Sequence, residues 1–236
     1  MKQLDVCLTP DLLHLHTVEN KIVVVADIFR ATSCMVTAFA HGVGSIIPVA
    51  TVEECQALKD RGYLAAAERN AQTVAGFDLD NSPFSYMDES LREVDIAMTT
   101  TNGTLAITRS RAAVKVLVGA FLNLEAVATY LRTQPYDVLV LCAGWKGRVN
   151  LEDTLFAGAL AERLRNHYSM LEDGALMAHR LYCDGKDNLV TYLANASHIR
   201  RLQRLGINKD IAYCLQHDLY DVVPVLRGNA LVKMDF

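Results

Sequence analysis

The feature that most restricts this chain is a repeated change of hydrophobic period. Short, continuous apolar runs alternate with longer stretches in which apolar residues recur at helical spacing. Residues 21–27 (KIVVVAD) read as a strand buried on both faces, and residues 31–42 as a helix closed by Gly42. The run at 44–50 predicts the next strand. Residues 51–62 predict a helix with Thr51 as N-cap, Glu54 as its capping-box partner and Gly62 at its end. Further strands are expected at 63–68, 94–100, 113–119 and 136–142, with helices at 103–111, 122–133 and 151–168. Crossovers this short place helices against parallel strands. The expected fold is therefore a three-layer α/β/α arrangement around a mostly parallel central sheet.

Beyond residue 168 the pattern changes. Residues 169–220 predict a series of short helices, and 221–236 a return to strand, with two strands flanking Arg227-Gly228-Asn229. No Pro-, Gly- or Ser-rich linker divides the chain and no solenoid repeat runs through it, so 1–236 is expected to form one α/β domain carrying a helical C-terminal lobe.

Composition then excludes several classes. A chain of 236 residues that is 51% hydrophobic can bury a sizeable core and is not disordered. With 23 Lys and Arg against 27 Asp and Glu, the net charge of −4 offers no basic surface to nucleic acid. The six cysteines are scattered without a C-x-x-C spacing, which suits buried thiols in a reducing cytoplasm better than a disulfide frame or a zinc site. No signal-peptide pattern opens the chain and no apolar run reaches membrane-spanning length. The expected partner is small, and a homo-oligomer is compatible with the C-terminal helices.

Open parallel sheets bind ligands beyond the carboxyl ends of their strands, and here polar residues accumulate at those ends. The first long strand delivers Asp27 and Arg30, the third Glu68, Arg69 and Asn70, the fourth the stretch Thr99-Thr100-Thr101-Asn102-Gly103-Thr104, the fifth Asn123, and the sixth CAGWKGRVNLED. A helix opening near Gly103 points its unpaired N–H groups at an anion, with Thr and Asn as neutral donors; the same residues also suffice as a plain cap. Asn81 and Ser82, ahead of Pro83, carry the same two readings. Arg30 is either a bidentate anion fork or the partner of Asp27.

Asp27, Glu152 and Asp153 are the oxygen donors suited to Mg²⁺, which takes one or two carboxylates plus water and substrate phosphate. Adjacent helical residues point about 100° apart, so Glu152 and Asp153 are alternatives as ligands, and both also complement a helix dipole. Lys146 and Arg148 are candidates for charge stabilisation. The spacing C-x5-R from Cys142 to Arg148 matches the loop of thiol phosphatases, although Val149 stands where a hydroxyl residue is usual; an ordinary strand-end cysteine is the alternative. The histidines show no H-x-x-x-H face for a metal, and His179 reads as structural.

The stretches VVVADIFRATSCMVTAF, GFDLDNSP, TTTNGTLAI, GAFLN, LCAGWKGRVNLEDTLFAGAL and ASHIRRLQRLGINKDIAYCLQHDLYDVVPVL, in this order, resemble the 2-phosphosulfolactate phosphatase family over nearly the whole chain. The resemblance implies a Mg²⁺-dependent phosphohydrolase that releases phosphate from 2-phosphosulfolactate on the route to coenzyme M. It implies site roles for Asp27, Arg30, Asn81, Ser82, Thr99 to Thr104, Asn123, Gly144, Gly147, Glu152 and Asp153. Of these, Asp27, Arg30, Asn102 and Glu152 are expected to be catalytic and Asp27 with Glu152 or Asp153 to hold the metal. Substrate contacts are expected from Asn81, Ser82, the threonine turn, Asn123, Lys146 and Arg148. Two departures stand out: Asp80 replaces the usual glycine before Asn-Ser-Pro, and Asn70-Ala71 lies where a glycine is expected. The rival readings are a metal-independent enzyme using Cys142 and Arg148, and a non-catalytic module that binds phosphorylated or sulfonated acids.

Overall fold

The computed structural model describes residues 1–69 and 72–235, so Asn70, expected at a strand end, lies outside the described residues. In chain order the strands are β1 (Lys2–Cys7), β2 (Lys21–Ala26), β3 (Ser45–Pro48), β4 (Leu64–Arg69), β5 (Gln72–Thr73), β6 (Asp95–Thr99), β7 (Lys115–Gly119), β8 (Asp137–Cys142), β9 (Tyr168–Ser169), β10 (Pro224–Arg227) and β11 (Ala230–Lys233). The helices are α1 (Ala31–Ala40), α2 (Val52–Lys59), α3 (Gly103–Arg109), α4 (Leu124–Arg132), α5 (Leu151–Leu164), α6 (Asp173–Gly185), α7 (Leu189–Tyr192), α8 (Ser197–Arg204) and α9 (Asn208–Cys214). This is the α/β layering expected from the alternating periods.

The strands form an 11-stranded sheet in the order β5-β4-β6-β3-β11-β10-β7-β2-β8-β1-β9. β2 lies inside the sheet between β7 and β8, where Ile22, Val23, Val24, Val25 and Ala26 are all fully buried. Burying a Val or Ile side chain contributes about 1.5–3 kcal/mol, so this strand alone anchors the core. β2 runs parallel to β7 and β8, with Ala26 level with Gly119 and with Cys142. On the other side of the sheet Ala67 of β4 is level with Thr99 of β6. These registers level the strand ends within each parallel group, the two groups being joined through the antiparallel hairpin; the loops of both groups meet where Asp27, Glu68, Thr101 and Trp145 line one cleft.

Two features of the sheet go beyond the sequence reading. Residues 2–7 form β1, parallel to β8; KQLDVC mixes charges with apolar residues, and an edge-side strand tolerates that better than a central one. The two strands expected around Arg227-Gly228-Asn229 form the hairpin β10–β11. It inserts antiparallel between β3 and β7, through the pairs Leu231↔Ile46 and Val225↔Leu117, and joins two groups of parallel strands. α5 stops at Leu164, before the expected residue 168, because Tyr168 and Ser169 are taken up as β9 beside β1.

The capping box at α2 forms as expected: Glu54 N–H donates to Thr51 Oγ1 at 3.1 Å and Thr51 N–H donates to Glu54 Oε2 at 3.2 Å. All six cysteines are free thiols, and all but Cys183 are buried. Among the described residues no helix is long and apolar enough to cross a membrane.

Candidate active site

The rim where the strand-end loops meet holds a narrow cleft of about 360 Å³, open to solvent at its mouth. Its walls come from six places in the sequence. The loop after β2 supplies Asp27, Phe29 and Arg30, and β4 supplies Glu68. Asn81 stands before Pro83, Thr101 and Asn102 follow β6, and Trp145 follows β8. α8 adds His198, Arg201 and Leu202. Glu152 and Asp153, in the first turn of α5, lie directly behind this wall, both fully buried.

The threonine turn divides its work. Thr100 and Thr104 serve the backbone: Thr104 N–H donates to Thr100 Oγ1 and Thr100 N–H donates to Thr104 Oγ1, each at 3.2 Å. Thr99 is fully buried as the last residue of β6. Only Thr101 and Asn102 face the cleft, and Asn102 Oδ1 also accepts the Lys146 N–H at 3.2 Å, tying this loop to the one after β8. The Gly103 N–H that opens α3 is not offered to a ligand, since it donates to the Asp27 carboxylate. Gly103 has to be glycine here: a Cβ would stand 2.9 Å from both Asp27 Oδ2 and Ala31 Cβ.

Asp27 carries the most informative charge. Burial, reinforced by the negative charges of Glu68 and Glu152, pushes its carboxyl up to about 7, against the pull of the Gly103 N–H and of Arg201. Asp153 is likewise held well above the ordinary carboxylate range by burial, Glu152 and Asp27. Its oxygens are committed, Oδ1 to the Ile28 N–H at 2.9 Å and Oδ2 to the Gly144 N–H at 3.0 Å. Asp153 thus ties the loop after β2 to the loop after β8.

Glu152 differs from its neighbour. Its Oε1 lies 2.5 Å from His198 Nδ1, while its Oε2 is buried without any hydrogen-bond partner. So short a contact to a carboxylate makes Nδ1 the protonated ring nitrogen, donating to Oε1. Asn150 Nδ2, 3.4 Å from the same nitrogen, is a secondary neighbour. A second orphaned acceptor, Asn81 Oδ1, belongs to a cleft residue only 8% exposed.

The basic groups are Arg30 and Arg201. Arg30 is paired with Asp210 of α9, Nη1 to Oδ2 at 2.5 Å, and not with Asp27, the partner expected from their closeness in sequence. The Arg201 guanidinium lies 4.0 Å from the centre of the Trp145 ring; burial pulls its pKa below the usual arginine value, while Glu152, Glu68 and Asp27 act to raise it. With Asp210 matched by Arg30, Arg201 faces three buried carboxyls, Asp27, Glu68 and Glu152.

An excess of carboxyls of this kind, with one buried oxygen lacking a partner, fits a hard divalent cation. The donor oxygens of Asp27, Glu68 and Glu152 do not all close to within 4.8 Å of one another, the span of a complete protein cage. An open arrangement of that sort suits Mg²⁺, which keeps water and substrate oxygens among its ligands.

Several expected substrate residues lie elsewhere. Asn123 is fully buried, and its amide is consumed by the backbone: Oδ1 accepts from Ala120 N–H, and Nδ2 donates to Val118 O and Val222 O. Ser82 makes no side-chain cap bond to the turn at Pro83–Tyr86. Asp80 caps it, accepting from Ser82 N–H at 2.9 Å and from Ser85 Oγ at 2.7 Å, which explains an acid in place of glycine. Lys146 is exposed and lines an adjoining cavity on the far side of Asn102. Arg148 is also exposed, in a tight turn in which Trp145 and Arg148 pair through their backbones.

The same turn overturns the thiol-phosphatase reading. Cys142 is fully buried, so its sulfur is not presented to a substrate, and burial together with the negative charge of Asp153 pushes its thiol well above the usual value, away from the thiolate. The loop N–H of Gly144 serves Asp153 and leaves no anion cradle over the sulfur.

Sequence reasoning passed over Glu68, Trp145, His198 and Arg201 as site residues. One signal was present: His198, Arg201 and Leu202 are spaced i, i+3, i+4, which puts them on one face of a helix.

A sequence model of the family described as 2-phosphosulpholactate phosphatase matches residues 7–229. A protein of Thermotoga petrophila named probable 2-phosphosulfolactate phosphatase is 41% identical over 219 residues, which is 93% of this chain and 95% of that protein. A protein of the same name from Thermotoga maritima gives the same identity and coverage. One from Caldanaerobacter subterraneus subsp. tengcongensis, also of that name, is 40% identical over 91% of both chains.

Proposed function

The chain belongs to the 2-phosphosulpholactate phosphatase family, and from that membership we propose that it hydrolyses 2-phosphosulfolactate, or a closely related 2-hydroxy acid phosphate, to the free hydroxy acid and phosphate with Mg²⁺ as cofactor. The observation that carries this reading is the match over residues 7–229, whose polar strand-end motifs supply most of the cleft.

Asp27 and Glu152 are the residues that would hold Mg²⁺. Asp153 is set aside because both its oxygens already serve backbone N–H groups. When bound, the cation would offset charge on the phosphoryl oxygens and provide Lewis acidity.

The chain's own groups do the rest. His198 orients Glu152 through its Nδ1–H, leaving Oε2 turned to its task. The attacking water gives up one proton to solvent as its oxygen bonds to phosphorus; in the alternative arrangement Glu152 alone holds the metal and Asp27, its carboxyl pushed up to about 7, is the base that takes that proton. The bond from phosphorus to the substrate's C2 oxygen breaks, and that oxygen takes a proton from solvent as it leaves, balancing the one given up by the water. Arg201 supports the substrate's anionic groups as a charge-assisted donor, and Asn102 and Asn81 stand beside it. Phe29, Trp145 and Leu202 shield the reacting groups from water.

The test is phosphate release from 2-phosphosulfolactate, phosphoglycolate, phospholactate and 3-phosphoglycerate, each with Mg²⁺ and with EDTA. The highest kcat/KM on the sulfonated acid, abolished by EDTA and restored by Mg²⁺, is the expected result. Tight binding of that acid with phosphate release no faster than in buffer would turn the reading into one of a binding module, and full activity in EDTA would remove the metal from it.

A further inference from the structure

A different set of metal-type donors lies at the other end of α5. We propose that Glu162, His179 and Cys183 form a binding site for a borderline divalent ion, with Zn²⁺ the ion of best fit. Among the described residues these three offer an oxygen, a nitrogen and a sulfur that all lie within 4.8 Å of one another.

The site is built by a close helix crossing. α5 and α6 approach where Gly158 meets the backbone of Ala178; any side chain at 158 would collide with the Ala178 carbonyl. One residue on, His179 leaves α6 toward α5, and Cys183 follows at i+4 on the same face. Glu162 is one helical turn beyond Gly158 on α5, so the crossing sets it opposite the pair. The pattern is neither a C-x-x-C pair nor H-x-x-x-H but H-x-x-x-C, with the third donor on another helix.

The distances are close to those a bound ion requires. His179 Nε2 lies 2.6 Å from Glu162 Oε2 and 3.5 Å from Cys183 Sγ. Tetrahedral zinc with ordinary bond lengths separates an imidazole nitrogen from a thiolate by about 3.6 Å and from a carboxylate oxygen by about 3.3 Å. The N···S edge already agrees, and the N···O edge opens by a small side-chain rotation as its hydrogen bond is exchanged for two metal bonds. Arg165 occupies the other carboxylate oxygen, Nη1 to Oε1 at 3.2 Å, and so leaves Oε2 on the histidine side. All three side chains are half-buried, which keeps a fourth ligand position in reach of water.

The donor set selects the ion. Thiolate and imidazole favour Zn²⁺ over Mg²⁺ or Ca²⁺, and three protein ligands with one open position are common for zinc. Binding removes the Cys183 thiol proton to solvent and requires neutral His179 with its proton on Nδ1. Glu162 lies ten residues along the helix from Glu152, about 15 Å at the helical rise, so the two sites are separate.

The experiment uses the full chain stripped with a chelator and titrated with Co²⁺, followed by Zn²⁺. A thiolate-to-cobalt charge-transfer band saturating at one equivalent, displaced by Zn²⁺, is expected. It should vanish in Cys183→Ser and weaken at least tenfold in His179→Ala, yet persist in Glu152→Gln, whose change is confined to the cleft. Zn²⁺ should also raise the unfolding temperature of the parent chain and not that of Cys183→Ser. Absence of the band, its survival in Cys183→Ser, or its loss in Glu152→Gln would each overturn the proposal.

Discussion

Two strand ends that look alike in sequence behave oppositely in the fold. After β7 the chain places Asn123, and after β8 it places Glu152; both are polar, both start helices and both are essentially inaccessible to solvent. Every hydrogen-bonding group of the Asn123 amide is used by neighbouring backbone, whereas Glu152 keeps one oxygen without a partner beside three other buried carboxyls. A buried polar group that is satisfied holds the fold together; one left unsatisfied is held for something not supplied by the chain. Position at a strand end therefore nominates a residue, and hydrogen-bond satisfaction decides its role.

This contrast can be broken by substitution, and the largest effects are expected at the unsatisfied end. Asp27→Asn and Glu152→Gln should each lower phosphate release by about 10²–10⁴-fold without lowering the unfolding midpoint, since each removes a charge from a crowded acid cluster. Wild-type turnover in either, or a large loss of stability in Glu152→Gln, would place Glu152 in the same class as Asn123.

The converse is expected at the satisfied end. Asn123→Ala strands the Ala120 N–H and the Val118 and Val222 carbonyls, at a cost of about 2–4 kcal/mol from unmade buried hydrogen bonds. Denaturant unfolding measures that loss, while kcat of the folded fraction should change little.

Arg201 sharpens the comparison from the cationic side. Arg201→Ala should raise KM by about tenfold or more through loss of a charge-assisted hydrogen bond, with Arg201→Lys recovering part of it. Unchanged KM in Arg201→Ala would confine Arg201 to packing on Trp145. The smallest effect belongs to Cys142, where Cys142→Ala should keep activity within about threefold, because a buried, protonated thiol takes no part in the chemistry. Complete inactivation of a well-folded Cys142→Ala would restore the nucleophile reading.

Much of this architecture can be read locally. The buried run of β2, the capping box at Thr51 and Glu54, and the assignment of Asp27 to the rim all depend on neighbours within a few positions. The division of labour inside the threonine turn does not, because Thr100 and Thr104 turn to the backbone while Asn102 turns to a loop more than forty residues away. Arg30 illustrates the limit: sequence proximity suggests Asp27, but its partner Asp210 is 180 residues distant. His198 and Arg201 were hidden for the same reason, their meaning being set by what they face across the cleft.

By itself, the sequence determined the alternation of strand and helix, the family, and the rim on which chemistry collects, since hydrophobic period, caps and motifs are properties of consecutive residues. Tertiary structure decided the insertion of the C-terminal hairpin between β3 and β7, the pairing of Arg30 with Asp210, and which buried oxygens remain without partners. Those outcomes depend on segments brought together from far apart in the chain, where no local periodicity records which group will find its match and which will be left open to a ligand.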